Sequence, residues 1–418
     1  MKGMEMMSFT TMLSEDKGGK NLHLEHLEDE ILNYGVDGGR AALNFLRSLR
    51  DMLAGASRSS VNMTVKWDGA PAIFAGIDPS DGKFFVAKKS VFNVNPKLYK
   101  SNKEIDDDLS GALVGKFKVA LAELGKLGID GVLQGDLMFT DDVATTKIDG
   151  LAHYTFQPNT IVYAVPVDSK FGAKIKAAKL GIVWHTTYSG SDLASMKASF
   201  GVNISGLKRP SSVWMDDATY KDTTGTSTFT AGETEAITDI LSKVGKTFGR
   251  INGPGLRTFL AMQNSMTGSL AGASLKTYNN SKVRAGERIK NPRSHAQGYV
   301  TWVQDSIGKQ IDKVKSPAGK KKYENLQKDF MREAKKHTNN LAYVIEFQNF
   351  LVEAKMMIVS KLNKVKSIGT FIRTAKGFKA TNPEGYVAID RVEGNAVKLV
   401  DRMEFSYNNF TAIKAWDK

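Results

Sequence analysis

Cysteine is absent from the 418-residue chain, and with it go disulfides, thiolate zinc sites, iron–sulfur clusters and cysteine nucleophiles. Long apolar runs are missing too: nothing approaches the roughly 18 uninterrupted residues of a membrane span, so a transmembrane protein is excluded and no membrane partner is expected. The N-terminal MKGMEMMSFTTMLSEDKGGK is polar and broken, without an apolar core ahead of a small-residue cleavage site. Export is therefore not expected, and a soluble, intracellular protein is. Histidine is scarce, at 6 residues. His23 and His26 share a helical face at i, i+3 but lack further ligands nearby, so an amphipathic helix surface is expected there rather than a zinc site. His153, His185, His295 and His337 are scattered singly, and neither a Ser-His-Asp set nor a Gly-rich Walker lysine loop is present.

What the chain does have is length and uneven charge. Its size predicts two or three domains at roughly 100 to 200 residues each, and 41% hydrophobic with 24% charged residues is an ordinary globular composition. The net charge of +14 is gathered in one place. Residues 271 to 380 hold 23 Lys+Arg and 8 Asp+Glu, leaving 35 and 36 for all the rest. Such a block is the electrostatic footprint of a phosphate-backbone binder, since each neutralised phosphate releases counterions. A solvated lysine-rich helical face or an anionic membrane contact is the bland alternative. Arg284, Arg288, Lys290 and Arg293 form one basic cluster and Lys320, Lys321 and Lys322 another, the second preceded by Ser316-Pro317-Ala318-Gly319, which reads as a loop. Aromatics are sparse among them, so sequence-specific readout is not expected.

Periodicity gives the organisation. Residues 22 to 55 read as two amphipathic helices with a break near Gly35 to Gly39, and residues 109 to 128 as another helix. VNMTVKW, AIFAGI, KFFVAK, GVLQGDLMF and NTIVYAVPV read as strands, a Thr/Gly-rich stretch at 221 to 234 as a linker, about 234 to 366 as mainly helical, and GYVAID and AVKLVDRMEF as strands again. The predicted division is an N-terminal helical segment (1–60), the first part of a core (61–220), a basic helical insertion (221–375) and the completion of the core (376–418). The fold class is α+β with antiparallel sheets.

The sharpest local signal is Lys66-Trp67-Asp68-Gly69, at the end of a strand-like segment and opening a turn. A lysine there is a nucleophile once its amine is neutral, which takes desolvation or neighbouring positive charge. Alone, the tetrapeptide is weak; most copies are a strand end with an Asp-Gly turn. The ordered series after it adds weight: Lys89 in FFVAKKSVFN, Asp136 in LQGDLMF, Tyr163 in IVYAVPVD, Glu384 in NPEGYVAID and Lys398 in AVKLV.

Through these residues, over about 61 to 168 and 380 to 402, the chain resembles the covalent nucleotidyltransferase superfamily of ATP-dependent DNA and RNA ligases and messenger-RNA capping enzymes. The resemblance implies an ATP-grasp-like core in which Lys66 takes AMP from ATP. Gly69, Lys89, Asp136, Tyr163, Glu384 and Lys398 would line the nucleotide site, with Asp136 on the ribose, Tyr163 on the base and Glu384 on Mg²⁺. Lys66, Asp68 and Lys398 would be the catalytic set, and Lys89 and Lys398 would lower the pKa of Lys66. The implied activity is sealing of 5′-phosphate to 3′-hydroxyl ends of RNA or DNA. Transfer to another acceptor, such as a 5′-diphosphate RNA end with GTP or a protein, and a non-catalytic nucleic-acid-binding relic are the alternatives.

Three features depart from the superfamily pattern. Lys398 is followed by Leu399 and Val400 where Lys-x-Lys is usual, with Arg402 a substitute if even strand spacing continues. Lys66 and Glu384 lie 318 residues apart, with the basic segment between them, and only 20 residues follow Lys398. The chain is therefore expected to lack an appended OB-fold and to stand nearest the RNA-ligase branch. It also looks like uncharacterised proteins of large tailed phages, for which the host-cell cytoplasm is the expected location.

Overall fold

A computed structural model describes residues 25–55, 61–220, 227–266, 270, 273–365, 368–374, 377–390 and 396–406. His23 and residues 221–226 of the linker expected at 221 to 234 lie outside the described residues, and the end of that stretch is helical instead, with Thr230 capping a helix that starts at Ala231. The helices are α1 (Glu30–Leu53), α2 (Asn102–Asp108), α3 (Ala112–Leu124), α4 (Lys170–Ala177), α5 (Ala231–Phe248), α6 (Gly253–Met266), α7 (Leu275–Arg284), α8 (Pro292–Lys313) and α9 (Pro317–Leu362). The strands are β1 (Val61–Lys66), β2 (Ala72–Ile77), β3 (Phe84–Ala87), β4 (Val132–Phe139), β5 (Ala144–Ile148), β6 (Leu151–Phe156), β7 (Ile161–Pro166), β8 (Leu180–Ser189), β9 (Lys197–Phe200), β10 (Val213–Asp217), β11 (Gly369–Thr374), β12 (Gly377–Ala380), β13 (Gly385–Asp390) and β14 (Ala396–Leu399). The chain is α+β, with a three-stranded sheet in the order β1-β13-β14, a six-stranded one in the order β10-β8-β4-β2-β3 with β9 beside β8, and a five-stranded one in the order β12-β11-β7-β6-β5. Every pairing is antiparallel except β10 with β8.

The three-stranded sheet decides where the chemistry sits. Because strand side chains alternate between faces, Met63, Tyr386, Ala388, Val397 and Leu399 fall on one side, and they are buried in a core shared with Leu46 and Leu49 of α1, Ile237 and Leu241 of α5 and Leu351 and Ile358 of α9. Thr64 pairs with Val387 and Val387 with Lys398, so these three share the opposite face, as does Lys66, two residues from Thr64. Helices cover one side and leave both lysines projecting from the other.

The same packing corrects the division read from sequence. The N-terminal helix and the insertion are not separate from the core, since α1, α5 and α9 bury one side of its first strand. A second apolar cluster around Phe259, Tyr299, Phe330 and Ile345 holds the distal helices together. The core also resumes before residue 376: β11 pairs with β7 from Gly369 to Ile372.

Local signals account for the helix ends. The break expected in the first helical segment falls at Gly35, where φ is 63° inside α1. Ser316 to Gly319, read as a loop, instead begins the 46-residue α9: the Ser316 hydroxyl accepts the Gly319 N–H and Pro317 takes the first turn, where its missing N–H costs nothing. His26 is extended rather than helical, and its backbone bridges Lys398 beside β14.

Charged residues just before and at the start of α1 are buried. Glu28 meets Lys355 of α9, and Asp29 accepts two bonds of 3.1 Å from Arg402. Arg402 therefore locks the turn Arg402–Ser406 to the N-terminal residues and to Asn280 of α7, and does not stand in for a second motif lysine. Glu30 is 2% exposed and its Oε2 has no partner among the described residues. Burial, then the neighbouring Glu25 and Asp29 carboxylates, push its pKa up to about 8. A carboxyl that keeps its proton only when folded contributes stability below its unfolded value that is lost as pH rises towards 8. Glu30→Gln is expected to remove that loss, leaving stability near pH 5 about unchanged and adding roughly 3 to 4 kcal/mol near pH 9. Urea unfolding at the two pH values checks it.

Candidate active site

Lys66 ends β1 and is paired across the sheet with Gly385. That register brings Glu384, the residue before β13, onto the lysine: its Oε1 contacts Lys66 Nζ, and the carboxylate is 8% exposed. Gly385 has φ of 152°, and a Cβ there would meet the Leu399 carbonyl oxygen at 2.5 Å. Glycine is what lets the chain turn the carboxylate toward Lys66 and still enter the sheet. Gly69 is constrained by contact instead, since a Cβ on it would lie 2.4 Å from Cβ of Asp136. The KWDG turn thus lies directly against β4.

Asp68 anchors that turn. Its buried carboxylate accepts from Asn159 Nδ2 at 2.6 Å and from the N–H groups of Thr160 and Ile161 at 2.7 Å each, while its own N–H donates to the Tyr163 hydroxyl at 2.8 Å. With both oxygens engaged, Asp68 ties the turn to β7 rather than orienting the lysine. Burial, followed by the Glu384 charge, raises its pKa to about 6 against the pull of these three donors.

Tyr163 borders the smaller of the two cavities beside Lys66 but offers it little free ring face. It is 2% exposed, with its ring stacked on Trp67 at 5.2 Å and on Phe156 at 5.6 Å. Trp67, half-buried, lines a cavity of about 210 Å³ together with Lys66, Asp136, His185, Val387 and Lys398. A second cavity of about 100 Å³ adjoins it across Lys66 and Trp67, lined further by Tyr163, Asp216, Tyr220 and Tyr386. Together they reach the lower end of the roughly 300 to 1,000 Å³ usual for small-molecule sites.

The cavity's charges are divided between its walls. Lys66 and Lys398 come from the three-stranded sheet, Asp136 and His185 from β4 and β8 of the six-stranded one. Burial and the Lys66 charge lower the Lys398 pKa. For Lys66 burial also disfavours the ammonium, but Glu384 outweighs it and the pKa is raised. The expectation that Lys89 and Lys398 depress it is therefore corrected for this state: the carboxylate in contact wins over the more distant cation. Lys89 is exposed in the short turn Lys89–Phe92 and does not line either cavity.

Among the described residues no three His, Asp or Glu side chains converge on a metal position. Mg²⁺ needs no such cage, since it is usually held through one or two carboxylates, waters and substrate phosphates. Glu384 fits that pattern.

The two basic clusters are exposed but separate. Arg293 stands at the start of the 22-residue α8, and Lys320 follows its end, about 30 Å away at 1.5 Å per residue. A larger cavity of about 720 Å³ lies between α7, α9 and the Arg402 turn. Methionines 356, 357 and 403 line it, and many of its charges are already paired, Lys355 with Glu28 and Lys361 with Glu233 among them.

Sequence reading missed Trp67, His185 and Asn159. Trp67 lay inside the motif and was passed over as the variable position, and a single histidine on a strand carries no signal until β8 is seen beside β4.

These features define an α+β protein in which a lysine paired with a buried carboxylate shares a cavity with a second, partly buried lysine. The chain belongs to the family of unknown function DUF6267, whose model matches residues 21–414. No curated protein and no solved structure matches it. Among the described residues no helix is long and apolar enough to cross a membrane.

Proposed function

We propose that the protein is an ATP-dependent polynucleotide ligase that works through a lysyl-AMP intermediate on Lys66, on an ATP-grasp-like nucleotidyltransferase core. The observations that carry the reading are the contact of Lys66 with Glu384 and the cavity that Lys66 shares with Lys398, three motif residues that lie 318 and 14 residues apart in sequence. Surface ion pairs are common, but this carboxylate is buried and both lysines belong to one sheet face.

In this reaction the Lys66 amine gives up its proton, its nitrogen forms a bond to the α-phosphorus of ATP, and the bond from that phosphorus to pyrophosphate breaks. Glu384, against Nζ, is placed to accept the proton. Lys398 offsets charge on the phosphates, and its pKa is lowered by burial first and then by the Lys66 charge. Trp67 offers an aromatic face to the base and Asp136 an acceptor to the ribose. Mg²⁺ carried by the nucleotide would be held by Glu384 and would offset phosphate charge further. The AMP then passes to a 5′-phosphate, and a 3′-hydroxyl displaces it to join the strands. The exposed basic clusters of the helical segment supply phosphate contacts at two separated points.

Incubation of the purified protein with α-labelled ATP or GTP and Mg²⁺, followed by a denaturing gel, tests this. ATP is expected to leave a covalent label that Lys66→Ala removes and that nicked duplex or RNA ends discharge. Protein shown to be free of bound adenylate that takes no label, or a Lys66→Ala variant that keeps it, would overturn the reading.

A further inference from the structure

We infer that His185 and Asp136 form a two-point site for a vicinal diol, so that the nucleotide taken is a ribonucleotide and His185 sets that preference. The inference rests on the nucleotide reading of the cavity and adds a residue on the wall opposite the lysines.

His185 lies on β8 and Asp136 on β4, neighbouring strands with a register shift between Gln134 and Gly135. The shift brings His185, one residue beyond the Gly135 partner Trp184, up beside Asp136. Both side chains are partly exposed, 27% for the histidine and 23% for the aspartate, and both line the 210 Å³ cavity. Their closest approach, His185 Nε2 to Asp136 Oδ1, is 3.7 Å. That is too long for a hydrogen bond, so neither group satisfies the other. His185 Nδ1 is already 2.8 Å from the Thr186 hydroxyl, which fixes the ring and leaves Nε2 for the cavity.

The chemistry of the two atoms differs in a way that selects the ligand. An ionised Asp136 only accepts, whereas imidazole Nε2 donates or accepts according to its tautomer. One hydroxyl can satisfy Asp136 alone. Two adjacent hydroxyls, each able to donate and accept, can satisfy both groups. Lys66 and Lys398, the other charged groups of the cavity, stand on the facing sheet, so the site has a cationic wall and a diol-accepting wall. A nucleotide with a free 2′,3′-diol has that same polarity; a 2′-deoxynucleotide leaves one member of the pair unpaired.

The test compares ATP with 2′-deoxy-ATP in wild type, His185→Ala and His185→Gln. Covalent labelling and equilibrium binding by calorimetry are both read, with melting curves to confirm folding. Wild type is expected to favour ATP by about 10- to 100-fold in both. His185→Ala should lose most of that ratio by weakening ATP alone, and His185→Gln, which keeps a donor and an acceptor, should restore part of it. A wild type that treats the nucleotides alike, or a His185→Ala that weakens both equally, overturns the inference. Absence of any label would sink the ligase reading, and the binding ratio would still decide this one; absence of binding by either nucleotide sinks both.

Discussion

Glu384→Gln is expected to cut covalent adenylate labelling by about 100-fold or more, the scale seen when one preorganised electrostatic partner is removed from an active site. Two effects of opposite sign meet in this variant. Removing the carboxylate lets the Lys66 pKa fall, since Glu384 is the charge that overcomes burial there, and a larger neutral fraction would by itself speed attack. It also removes the proton acceptor in contact with Nζ and the carboxylate suited to Mg²⁺. The gain is bounded, because the neutral fraction cannot exceed one, whereas misplacing a nucleophile and losing charge balance are not so limited. Loss is therefore expected to win. The two effects separate experimentally: an amine-selective acylating reagent at neutral pH should modify Lys66 faster in the variant even as labelling by ATP collapses. Labelling that rises would mean that Glu384 only restrains the lysine and has no part in transfer.

The second large effect is expected away from the site. Lys355 Nζ lies 3.0 and 2.8 Å from the two oxygens of Glu28, with the lysine 1% and the carboxylate 4% exposed. Burial alone would raise the Glu28 pKa, but Lys355 and then Arg402 hold it down at about 2. Lys355→Met keeps the length of the side chain and strands the carboxylate, which should cost roughly 3 to 5 kcal/mol. Pairing it with Glu28→Gln should recover most of that, because the penalty belongs to the unpaired charge rather than to the lost attraction. Urea midpoints of the single and double variants decide it. An unchanged midpoint for Lys355→Met would mean that Arg402, 3.6 Å from Glu28, compensates the carboxylate by itself.

How much of this could be read from the sequence depends on how local each signal is. The strand containing Lys66, the Asp-Gly turn, the kink at Gly35 and the return of the sheet after the helices all follow from short-range patterns, and they are where expected. That Lys66, Glu384 and Lys398 meet was legible through the order of their motifs. Composition could not have supplied it, because the register of β1 on β13 is a long-range pairing. Tyr163 shows the limit: an aromatic in an apolar strand looks the same whether its ring face is free or is covered by Trp67 and Phe156. Lys89 and Arg402 failed for a related reason. Each was expected in line with a strand, but the backbone leaves the strand there, Lys89 in a short turn and Arg402 in the turn that follows β14. Asp68 was recognised as a motif residue while its task was not, since the donors that occupy it come from residues 159 to 161.

The pairing of β1 with β13 has a consequence for the order in which the molecule is made. Lys66 leaves the ribosome 318 residues before Glu384, and until the last strands emerge its amine has neither its carboxylate nor the second lysine nearby. The helices between them add little to the thermodynamic cost of closure, since doubling a connection costs only about 0.6 kcal/mol. Their effect is on timing. A chain that lacks those strands can carry all four KWDG residues and still have neither partner, so under the proposed reading adenylate transfer waits on residues 384 to 398.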